Sequence, residues 1–124
     1  MGLMRMTAAV LGIAFLLSAC SPSPTRDPAQ ASALAAEIQR QLVEDFGVPG
    51  DASWYPHITS VTVEGSTLVL GTDLTSRSEA ASGVCSGGSN YVFANDADAS
   101  LASLEVRGTS GQVLIRRGAV SDPC

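Results

Sequence analysis

A chain of 124 residues has room for one domain. It carries 12 acidic residues against 7 cationic ones, all of them arginine, for a net charge of -5; nucleic acid and anionic headgroups, which need a cationic footprint, are excluded as partners. One histidine and no glycine loop of the phosphate-cradling kind give no convergent set of reactive groups, so neither catalysis nor a cofactor is expected.

Met1 to Met6 holds one cation, Arg5, and the apolar run Ala8 to Leu17 that follows is 10 residues long. A membrane-spanning helix needs about 20, so residues 1-19 read as a signal peptide rather than a permanent anchor. Leu17-Ser18-Ala19-Cys20 closes the segment. An aliphatic residue, two small residues and a cysteine resemble the lipobox of bacterial lipoproteins. That resemblance implies a thioether from the Cys20 thiol to diacylglycerol, cleavage just before Cys20, acylation of the new amino terminus, and residence on the extracytoplasmic face of a cell membrane. Two or three acyl chains, at about 0.8 kcal/mol per buried methylene, hold a protein almost permanently. The membrane, through this lipid anchor, is therefore the first partner expected.

From Ser21 to Gln30 come three prolines and no large apolar residue, which reads as a semi-rigid spacer. With the lipidated cysteine it makes residues 20-30 a tether reaching roughly 30 Å, and residues 31-124 the folded domain. Over Ala31 to Phe46, Leu34, Ile38, Leu42 and Phe46 recur every four positions beside Ala35 and Val43, and Arg40 and Glu44 face outward at i,i+4 spacing. Gly47 and Pro49 end this helix. A loop containing Trp54, Tyr55 and His57 follows.

Val61 and Val63 alternate with Thr62 and Glu64, Gly65-Ser66 supplies a turn, and Leu68 and Leu70 resume the alternation. Val69 then faces the other side of the sheet. Ser76 to Glu79 fits a capping box opening a second helix that ends near Asn95, with Ala81, Val84, Cys85, Gly88, Tyr91 and Val92 inward. Gly83, Gly87 and Gly88 each cost a helix interior about 1 kcal/mol, so they either allow close approach to the sheet or break the helix in two. Ser103 to Gly108 repeats the spacing of Ser60 to Gly65, and Val113-Leu114-Ile115 answers Leu68-Val69-Leu70. The order α-β-β-α-β-β predicts an α+β two-layer sandwich, two helices on one face of a mainly antiparallel sheet of about four strands. From Leu34 to Val106, and above all in Val61 to Gly71, this resembles the BON domain, a small α/β module of bacterial envelope proteins. The second helix departs from that family in its glycines and in Cys85. The resemblance implies binding to membrane, envelope polymer or protein, and no catalytic residues.

With Cys20 taken by lipid, Cys85 and Cys124 are left to pair in a compartment that permits disulfides. Closing a loop of about 40 residues stabilises a fold by roughly 4 kcal/mol in the chain-entropy account. Gly83 to Gly87 has the spacing of a nucleophile elbow with cysteine for serine, but the chain is too short for the sheet that motif needs. Asn95 to Ser100 resembles the start of a calcium loop, yet Leu101 and Arg107 stand where such a loop needs glycine and glutamate, and no metal is expected. Arg116-Arg117 reads as a solvated strand end. Trp54, Tyr55 and His57 are the candidate binding residues, an aromatic shelf beside an imidazole; the same residues also read as a loop whose tryptophan caps the core. The function expected is a lipid-anchored, non-catalytic binding or assembly module acting on an envelope protein or polymer. The alternative is a small envelope enzyme or ligand sensor using the Trp54 to His57 region.

Overall fold

The computed structural model describes residues 26-94 and 97-124. Leu17 to Cys20, the signal peptide and the first part of the tether lie outside the described residues, as do Asn95 and Asp96. The elements are α1 (Pro28–Phe46), β1 (Ile58–Glu64), β2 (Thr67–Thr72), α2 (Glu79–Ser89), β3 (Ser103–Arg107) and β4 (Val113–Arg117), with a 3-10 turn at Tyr55–His57 before β1. Two helices and a four-stranded sheet make the α+β domain that the alternations predict. Among the described residues no helix is long and apolar enough to cross a membrane.

α1 begins three residues earlier than its apolar stripe. An Asp27 carboxylate oxygen accepts the Gln30 N–H at 2.8 Å, and the Gln30 side chain accepts the Asp27 N–H at 3.3 Å. This capping box, with Pro28 at the first position, satisfies N–H groups that a helix start leaves orphaned. Pro28, Ala29 and Gln30 therefore belong to the helix and not to the spacer. Arg26 donates to the Gly65 carbonyl at 2.8 Å, which ties the helix start to the β1–β2 turn. Ala35, Ile38 and Leu42 are buried, Leu34 and Phe46 pack at the margin, and Val43 is 51% exposed, outside the stripe it was read into.

β1 and β2 pair antiparallel through Glu64↔Thr67, so Gly65 and Ser66 alone make the turn. Gly65 has φ of 62°, a left-handed conformation that glycine adopts without a Cβ penalty. α2 then carries the chain back across the sheet, and the next strand consequently runs parallel to β2. β4 closes the sheet antiparallel to β3, giving the order β1-β2-β3-β4. The sheet is mixed, with parallel pairing at its centre and antiparallel hairpins on either side.

Leu68, Leu70, Leu104 and Val106 are fully buried under the helices and meet Ile38, Leu42, Ala81 and Val84. On the other face Val69 is also buried, with Thr62 and Glu105 as its register partners. There the Glu105 carboxylate is held by Arg107 at 2.8 Å and Arg116 at 3.1 Å, and Arg107 reaches on to Glu64 at 3.0 Å. Arg117 turns the other way. Its guanidinium donates to the Ser89 hydroxyl and the Val120 and Asp122 carbonyls and lies 4.9 Å from the Phe93 ring centroid. The basic pair is thus divided between the two faces: Arg116 is solvated, as its position at a strand end suggests, with one ion pair to Glu105, while Arg117 is engaged by the protein itself.

α2 is capped by Ser78, whose hydroxyl accepts the Ala81 N–H at 3.3 Å, and not by Ser76. It ends at Ser89, short of the expected end near Asn95, so Tyr91 and Val92 reach the core from the following turn. The Tyr91 hydroxyl donates to Asp45 at 2.7 Å. Burial, reinforced by that bond, holds the phenol's pKa far above its usual value. Cys85 and Cys124 are joined, their Cα atoms 5.6 Å apart. The Cys124 carbonyl accepts the Ser82 hydroxyl at 2.9 Å, so the last residue is fastened to α2 twice.

Candidate functional site

The turn Trp54-Tyr55-Pro56-His57 lies against α2. Pro56 has the fixed φ that a 3-10 turn requires, and the His57 N–H closes the turn on the Trp54 carbonyl at 3.1 Å. The three candidate binding residues are then separated. Trp54 and His57 line a groove together with Ser53, Glu79, Ser82 and Ser86. Tyr55 is half-buried and packs toward the core instead.

Trp54 is held on several sides. A Cβ added at Gly83 would sit 2.4 Å from its Cδ1, and one added at Gly87 would sit 2.3 Å from its Cη2. The indole therefore lies along the helix with its five-membered end at Gly83 and its six-membered end at Gly87, one turn later. Phe46 meets it with ring centroids 4.8 Å apart and planes tilted by 57°. Two of the glycines that weaken α2 in the sequence thus make a seat for one ring, and Gly88 makes room for Leu70 and Leu104 in the same way. The tryptophan is a packing residue that shows part of its ring to the groove.

His57 is oriented by a partner that the sequence reading did not single out. Its Nδ1 lies 2.7 Å from an Asp73 carboxylate oxygen, and the Asp73 N–H donates to the His57 carbonyl at 3.1 Å. An ionised carboxylate only accepts, so in this contact Nδ1 is the donor. Both side chains are substantially exposed. Counted from Glu64↔Thr67 without interruption, the hairpin sets His57 opposite Leu74. The irregularity between Ile58 and Ser60 shifts the register by one and brings Asp73 there.

Among the described residues, the remaining sequence candidates are not joined to this groove. Cys20 lies outside the described residues, and Cys85 is in the disulfide and fully buried, with no free thiol. In the calcium-like stretch, Asp98 accepts the Ser100 N–H at 2.8 Å and also its hydroxyl, bonds that hold its pKa below the usual value. Among the described residues no group of three or more histidines, cysteines and carboxylates is placed to hold a metal.

The groove can offer hydrogen bonds from the His57 imidazole, serine hydroxyls and one carboxylate. Compared with known protein families, curated proteins and solved structures, the chain matches none of them.

Proposed function

We propose that this protein is a lipid-anchored module on the extracytoplasmic face of a bacterial cell membrane, which binds an envelope partner without performing chemistry on it. The observation that carries the reading is the pairing of Cys85 with Cys124, since disulfides persist in oxidising compartments and are rare in the cytosol. It accords with the lipobox-like Leu17 to Cys20 and with a proline-rich spacer that leads directly into the cap of α1. The groove beside Trp54 and His57 is the binding surface in this reading. It is open, and it is built on an α2 wall that the disulfide holds to the end of the chain.

Mass spectrometry of the membrane fraction tests the anchor. The expected result is a diacylglyceryl-modified peptide beginning at Cys20, lost in Cys20→Ala, which is left unprocessed or released. An unmodified Cys20 in mature protein refutes the anchoring.

One observation favours the second reading, an envelope enzyme or ligand sensor: the His57–Asp73 pair is the arrangement that orients an imidazole for proton transfer. Asp73→Asn separates the two. A binding module loses affinity by roughly tenfold or less, the scale of one charge-assisted hydrogen bond. A catalyst working through His57 loses turnover by about a hundredfold or more.

A further inference from the structure

We propose that the groove between the Trp54–His57 turn and α2 takes a neutral, hydroxyl-rich chain, a stretch of envelope polysaccharide. The proposal rests on the binding-module reading and names its ligand class. The groove measures about 590 Å³, with Ser53, Trp54 and His57 on one wall and Glu79, Ser82 and Ser86 on the other. Positions 79, 82 and 86 are spaced by three and four residues and so share one helix face. At 1.5 Å per residue they extend along about 10 Å of helix. That wall presents polar groups at intervals to an elongated ligand with repeating units.

The chemistry of the walls narrows the class. The Ser53 and Ser86 hydroxyls donate and accept alike, which is also the property of sugar hydroxyls, while Ser82, whose proton goes to the Cys124 carbonyl, offers only its acceptor side. The His57 imidazole, oriented by Asp73, and the Glu79 carboxylate add two more hydrogen-bonding groups that a sugar hydroxyl, donor and acceptor at once, can meet. Among the described residues no arginine lines the groove, and Arg77, beside α2's cap, donates to the Cys124 carbonyl at 3.3 Å. A polyanion would meet the Glu79 carboxylate with no arginine among the described lining residues to offset it. A polycation would find one lining carboxylate among neutral hydroxyls. Since the indole is committed to Gly83, Gly87 and Phe46, hydrogen bonding carries recognition and ring stacking contributes little.

Trp54 is the only tryptophan of the chain, so intrinsic emission reports on the groove directly. The full chain in detergent micelles is titrated with a neutral N-acetylglucosamine tetramer, a sulfated oligosaccharide and a lysine tetrapeptide. The expected result is a saturable emission change with the neutral tetramer alone, insensitive to salt because the ligand is uncharged. His57→Ala and Ser86→Ala are expected to weaken it roughly fivefold or more each, and Glu44→Gln, on the exposed face of α1, to leave it unchanged. No saturable change, or a larger and salt-sensitive change with either charged probe, overturns the ligand class. A photo-crosslinking residue at Ser53 in intact cells separates this from failure of the parent reading. If an envelope component is captured while the tetramer gives no signal, the saccharide is wrong and the module stands; if neither binds, both fall.

Discussion

Replacing Gly87 by alanine sets two effects against each other. Alanine in a helix interior is favoured over glycine by about 1 kcal/mol. The new Cβ, however, would lie 2.3 Å from Trp54 Cη2 and 2.7 Å from Cζ2. Non-bonded carbons rest at about 3.5 to 4.0 Å, so the ring must retreat by about 1 Å or more. It is a rigid bicycle seated at Gly83 and braced by Phe46, and it cannot yield by a single bond rotation. Overpacking of this kind costs about 1 to 3 kcal/mol, and at the upper end, where so short a contact belongs, the clash outweighs propensity. The expected net loss is about 2 kcal/mol, or roughly 10 °C in Tm for a domain of this size. Thermal unfolding followed by circular dichroism and by Trp54 emission measures it, with a red shift if the ring is displaced into water. The decisive comparison is the double-mutant cycle. In a Trp54→Ala background the clash is gone, and Gly87→Ala should then stabilise by its propensity alone. If Gly87→Ala raises Tm in the presence of the tryptophan, the packing argument is refuted.

Three further outcomes follow from the fold. Cys124→Ala should cost roughly 4 kcal/mol, since the cross-link spans 39 residues, and reductant should lower the Tm of the parent but not of the variant; equal responses would refute the staple. Because Tyr91 ionises at a higher pH folded than unfolded, its contribution is complete below about pH 10 and is lost as pH rises past that value. Urea midpoints should therefore fall on the alkaline side in the parent and fall less in Tyr91→Phe, and parallel curves would show that the phenol does not matter. Asp27→Ala should cost about 1 kcal/mol through loss of the α1 cap, read from urea unfolding, with Asp27→Asn retaining most of the stability.

The start of α1 is legible in the sequence. Asp27-Pro28 with Gln30 is a helix-start signal in its own right, but the prolines of the spacer drew Pro28 into the wrong segment. In the second helix the close approach to the sheet that its glycines allow holds for Gly88, against Leu70 and Leu104, whereas Gly83 and Gly87 meet Trp54, a ring from a distant loop that a propensity scale has no knowledge of. The groove residues show the same division. His57 stood out as the one histidine. Asp73 did not, because its place beside His57 depends on a one-residue irregularity in β1 that alternation alone does not reveal.

What the sequence by itself determined is local and periodic: a four-residue stripe, two alternating hairpins, a turn glycine and two cysteines left to pair. Each follows from which face a side chain must bury or which φ a turn must adopt, and these are decided within a few residues. What only the tertiary structure decided is who meets whom across the chain: the parallel pairing of β2 with β3, the seating of Trp54 on Gly83 and Gly87, the separation of Tyr55 from His57, and the partnership of His57 with Asp73. Those depend on the direction in which α2 returns over the sheet and on a shift of one residue in register, and close packing turns such small offsets into a choice of neighbours.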